Sequence, residues 1–167
     1  MSSKFSVNKI VRDHINTLYN YDTNKKDKIA IFINFILPLI VSVSFISFGV
    51  IIIYSEFTVI LTAFSVFAAL LLNLMILVFS IVNREKEKGD DQKDLDKIKI
   101  LKETYENIQF TVLISVIIIV FVLVLLFIPF NFYLDLVLSF AIYYLVFTFI
   151  VTLFMVLKRT HAIMSNE

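Results

Sequence analysis

The sequence predicts an all-α, polytopic membrane protein with four transmembrane helices arranged as two hairpins. Three observations predict it. The 167 residues are 59% hydrophobic, with 18 phenylalanines and only two glycines, and the mean hydropathy is +0.90, far above that of an ordinary soluble domain. Four uncharged runs, Ile29–Ile53, Phe57–Val82, Phe110–Phe130 and Leu136–Leu157, each exceed the roughly 18 residues that mark a membrane-spanning helix. All 15 basic residues fall in residues 1–28, 83–109 and 158–167, and none lies in the two other connections. By the positive-inside rule, both termini and the central connection of this multi-pass protein are then cytoplasmic.

Residues 1–28 form the first segment. Ser6 is a plausible N-cap, and Val7, Ile10, Val11, His14, Ile15 and Leu18 fall on one helical stripe. A helix this short is marginal alone in water, so it must rest on lipid headgroups or on the rest of the chain. His14, on the apolar stripe, reads as a packing residue with one satisfied nitrogen.

Residues 29–82 are the first transmembrane hairpin. Its first run carries Asn34 and Pro38; proline cannot donate to the carbonyl four residues back, so a kink is expected. The short link Tyr54–Ser55–Glu56 predicts two tightly paired spans, with Asn34 and Asn73 close enough in depth to meet. In the second run Thr58, Thr62, Ser65, Ala69 and Asn73 follow at spacings of four, three, four and four. That stripe is either a helix-packing face or the lining of a pore.

Residues 83–109 are a charged connection with seven basic and eight acidic side chains. Such a balance is a solvated surface, and it gives no reason to expect nucleic acid. Beyond Gly89 no glycine or proline occurs before Pro129, so the third span should be one helix that starts outside the bilayer. Ile98, Leu101, Tyr105 and Ile108 form an a/d-like seam, which could dock on the N-terminal helix, a second protomer or a partner.

Residues 110–157 are the second hairpin. The third span reads as the plainest and best suited to face lipid. The fourth carries Ala141, Tyr144, Thr148 and Thr152 at spacings of three, four and four, hydroxyls expected to pair with the second span or another subunit. Residues 158–167 are a short tail.

No Asp, Glu, Lys, Arg or His lies within the four runs, which argues against proton relays and ion-coupled transport. No phosphate loop, metal-spaced cluster or activated nucleophile is present, and there is no cysteine. No enzyme activity, cofactor or metal is expected.

The segment VRDHINTLYNYDTNKKDKIAIFINFILPL (residues 11–39) resembles the start of small bacterial four-span membrane proteins. The layout is similar to transmembrane effectors of anti-phage systems of the retron, CBASS and Kiwa types. That resemblance carries over no functional residue. It implies an antiviral-defence effector that perturbs or permeabilises the membrane under control of a cytoplasmic protein partner. The residues themselves suggest a homo-oligomer, dimer to tetramer. A passive membrane anchor for a soluble enzyme or sensor, and a constitutive small ion channel, are the other readings.

Overall fold

A computed structural model of the chain describes residues 7–20, 25–26, 28–86, 92–127 and 132–165. Ser6, Gly89 and Pro129 lie outside the described residues. The helices are α1 (Val7–Asn16), α2 (Lys28–Ile31), α3 (Leu37–Ser47), α4 (Tyr54–Lys86), α5 (Gln92–Leu125) and α6 (Phe132–Ser165), with a π-helical turn, Phe32–Ile36, joining α2 to α3. Tyr19–Asn20 pairs antiparallel with Lys25–Lys26 in the link after α1. Four helical segments are long and apolar enough to cross a membrane, so the chain is a multi-pass membrane protein.

The kink expected at Pro38 takes a definite form. Without an N–H at Pro38, the preceding turn widens, and Leu37 N–H reaches Phe32 O five residues back. Asn34, Pro38 and Ser42, spaced by four, are buried along one face. That face lies against α6, where Phe45 meets the rings of Tyr143 and Phe147. α3 stops at Ser47 through a Schellman motif. Gly49 N–H bonds Ile46 O at 2.9 Å and Val50 N–H bonds Phe45 O at 3.0 Å, and Gly49 takes φ 74°.

Residues 48–53 then cross the end of the bundle, where Ile52 N–H donates to Ser139 Oγ at 3.0 Å. The tight pairing expected of spans 1 and 2 is therefore corrected. The link is longer than the sequence reading allowed, because α3 already stops at Ser47, and the expected link Tyr54–Ser55–Glu56 is the first turn of α4. α3 packs on α6, and α4 packs on α5. Glu56 closes the start of α4 by accepting from Ile53 N–H at 3.1 Å.

The third span is also corrected. Far from facing lipid, α5 is the central helix, with Ile108, Ile118 and Val122 fully buried. The main core joins Phe57, Phe64 and Leu71 of α4, Phe110 to Leu125 of α5, and Ile142 and Phe149 of α6. Phe149 meets Phe64 edge-on at 5.0 Å. Burial of a Phe or Ile side chain is worth about 1.5–3 kcal/mol against water, but lipid is as apolar as the core. Shape therefore selects the buried face inside a bilayer. α5 continues as one helix well beyond its apolar run, as its lack of Gly and Pro predicts.

Candidate functional site

At the end of the bundle where the C-terminal part of α6 lies, α1 packs on α5. The contact is polar at its centre. His14 and Asn107 are both fully buried. Asn107 Oδ1 accepts from His14 Nδ1 and from Thr17 Oγ1, each at 2.8 Å. A carbonyl oxygen only accepts, so the histidine carries its proton on Nδ1. The imidazole stacks flat on Phe110, with ring centroids 3.8 Å apart and planes 6° from parallel. Burial pushes the His14 pKa down to about 4; the Asn107 hydrogen bond opposes this, and the charge of Arg159 adds to it. His14 is therefore neutral at physiological pH, the packing residue the sequence suggested, with Nε2 left unpartnered.

α6 completes the clamp. Arg159 Nη2 donates to Thr17 O at 2.7 Å, satisfying a carbonyl at the C-terminal end of α1 where a cation is favoured. Its Nη1 pairs with the Glu103 carboxylate at 3.3 Å, an ion pair without hydrogen-bond alignment. Three helices distant in sequence are tied by five side chains. Ile10 and Val11 of α1 extend the contact onto the main core.

The predicted docking seam divides. Leu101 and Ile108 are buried against Val78 and Val82 of α4 and Val156 of α6, with Tyr105 packed beside them. Ile98 is half-buried. α1 docks instead through His14 and Thr17 on the adjacent α5 face, while Leu18 is buried and Val7 stays 53% exposed. Sequence reasoning missed Asn107, Thr104, Thr111 and Ser115, all buried at spacings of three, four and four. The small-and-polar spacing rule applied to the second and fourth spans would have found them. They straddle the boundary between the charged connection and the apolar run, which hid the pattern.

The polar stripe of α4 has the opposite fate. Thr58, Thr62, Ser65, Ala69 and Asn73 are all exposed. Thr62 and Ser65 donate to their own helix, to Thr58 O and Leu61 O, so their hydroxyls demand no partner. Asn73 has no such outlet, and its amide makes no hydrogen bond among the described residues. The meeting of Asn34 and Asn73 is overturned. Asn34 is buried against α6, with Nδ2 on Ala30 O at 3.1 Å and on Met155 Sδ at 2.7 Å. On α6, Thr148 and Thr152 are buried, with Ala141 and Tyr144 half-buried. Both threonines bond carbonyls of their own helix, Tyr144 O and Thr148 O, not the second span as expected.

Among the described residues no group of His, Asp and Glu is arranged to hold a metal ion. No family model, curated protein or solved structure matches the chain.

Proposed function

We propose that this chain is a homo-oligomeric inner-membrane effector of a bacterial defence system, which perturbs or permeabilises the membrane when a cytoplasmic partner acts on its clamped end. The observation that supports it best is Asn73. Its amide sits about 14 Å along α4 from Val82, at ~1.5 Å per residue, on the outer face of the bundle and without a partner. In hydrocarbon such a group costs several kcal/mol. A second protomer or a water-filled path between protomers removes that cost. The exposed Thr58, Thr62, Ser65 and Ala69 beside it leave room for close helix approach.

The clamp supplies the second half of the proposal. α1, α5 and α6 converge on His14, Asn107 and Arg159, so a partner that displaced α1 would act on two spans at once. The same preformed platform favours a second reading, a passive anchor that holds a soluble protein at the bilayer.

The experiment is induction in bacteria with a membrane-potential dye, alone and with candidate partners, comparing wild type with Asn73→Leu, alongside mass measurement in nanodiscs. Depolarisation that depends on Asn73, from a dimer-to-tetramer assembly, supports the effector. Silence in every condition favours the anchor, and monomer at all concentrations removes the assembly.

A further inference from the structure

Between α1, the end of α4 and α5 lies a cavity of about 540 Å3, within the ~300–1,000 Å3 range of small-molecule sites. At ~30 Å3 of liquid volume per water, it holds the equivalent of roughly eighteen waters. Its position is set by α4, whose apolar run ends at Val82 and is followed at once by Asn83, Arg84, Glu85 and Lys86. The cavity therefore straddles the boundary between hydrocarbon and water.

Its lining changes across that boundary. Phe79, Val82 and Ile10 line the apolar side, and Tyr105 lies 5.8 Å from Phe79 between ring centroids. The polar side carries charges of both signs: Lys9, Lys86 and Lys102, against Asp13 and Glu106. The two carboxylates come from different helices, α1 and α5, and both are half-buried. Lys102 approaches Glu106 only to 3.9 Å, with its own side chain 67% exposed. An exposed pair of that kind contributes little, so a better-placed cation would displace it.

We propose that this cavity is a headgroup site for a membrane phospholipid whose head carries both a phosphate and a primary ammonium. The ammonium sits between Asp13 and Glu106, where it has three N–H donors for two carboxylates. The phosphate lies on the lysine side, at Lys86 and its neighbours, and the acyl chains leave along Phe79 and Val82 into the bilayer. A purely anionic head could use the lysines but would bring no cation to Asp13 and Glu106. A quaternary ammonium is bulkier and has no N–H to donate. The proposal does not depend on oligomerisation or on the effector reading.

The test is native mass spectrometry of the full chain in mild detergent, titrated with dioleoyl phosphatidylethanolamine, phosphatidylglycerol or phosphatidylcholine. Phosphatidylethanolamine should be retained about fivefold more strongly than either other lipid, the scale of one modest ion pair. The double variant Asp13→Asn, Glu106→Gln should abolish that preference, while Lys86→Gln, an exposed change at the end of α4, should weaken retention of both phosphatidylethanolamine and phosphatidylglycerol. Lys158→Gln, outside the cavity, should change nothing. Equal retention of the three lipids, preference for phosphatidylglycerol, or a phosphatidylethanolamine preference that survives loss of both carboxylates would each overturn the proposal. So would binding of soluble phosphoethanolamine without binding of the lipid.

Discussion

Acidification should release α1 from the bundle, and the size of the effect follows from His14. In the docked state the imidazole is fully buried and its pKa lies at about 4; undocked, it returns to its ordinary value of 6.5. A histidine depressed in the docked state binds more protons when undocked. Docking is therefore strongest above pH 6.5, weakens as pH falls from 6.5 to 4, and loses nothing further from this group below 4. Between pH 7.5 and 5.0 the linkage is worth about 2 kcal/mol, or roughly a 30-fold shift in the docking equilibrium. Hydrogen exchange on the α1 amides in nanodiscs, corrected for the intrinsic pH dependence of exchange, reads that equilibrium directly. Asp13, Glu103, Glu106 and Arg159 are the charged groups that surround the site. His14→Gln retains all four, so its pH dependence is the baseline to subtract. No loss of protection in wild type, an equal loss in His14→Gln, or protection that rises on acidification would refute the reasoning.

Three further outcomes follow from packing, backbone and charge placement. Ser115 is fully buried and its hydroxyl bonds only Thr111 O, so Ser115→Ala should cost under about 1 kcal/mol, whereas Ser115→Leu should cost about 1–3 kcal/mol by overpacking; thermal midpoints in nanodiscs separate the two. Gly49 has φ +74° and nothing within 4 Å of an added Cβ, so Gly49→Ala should lose about 1–2 kcal/mol from backbone strain alone, and an equally stable variant would mean that the turn rearranges freely. Reporter fusions after Leu18, Gly89 and Lys158 should all score cytoplasmic, and one clear periplasmic score would defeat the orientation read from the basic residues.

How much of this was legible in the sequence depended on contrast. The four spans stood out because apolar runs contrast with charged connections. α1 stood out because Val7 to Leu18 alternates apolar with polar at helical spacing. α5 was legible as one long helix because nothing breaks it. The choice of which face of α5 is buried was not legible. From Val116 to Leu125 the helix is apolar on every side, and in lipid hydropathy no longer separates inside from outside. The clamp was half legible. His14 was read correctly as a packing residue, but its partners Asn107 and Arg159 lie 93 and 145 positions away along the chain, and only tertiary structure joins them. The pairing of spans 1 and 2 failed for a local reason. The Schellman stop at Gly49 ends α3 six residues before its apolar run ends, and those six residues have the length to carry the chain across the bundle.

The resulting arrangement has two unequal edges. α4, α5 and α6 make the core, and α3 lies outside on α6. The outer face of the π-helical turn and α3 presents Phe32, Ile33, Ile36, Leu39, Ile40 and Val43, a surface that lipid satisfies fully. The outer face of α4 presents the stripe that ends in Asn73, which lipid does not satisfy. Contact between protomers should therefore form at the α4 edge. Because Thr62 and Ser65 already bond their own carbonyls, Asn73 sets the requirement. Two copies meeting isologously around one axis satisfy it by pairing amide with amide, and that closed pair leaves no route for water. Three or four copies around an axis place a ring of amides and hydroxyls on a common lumen, where water satisfies each of them. The stoichiometry at the α4 edge thus separates an anchor from a pore.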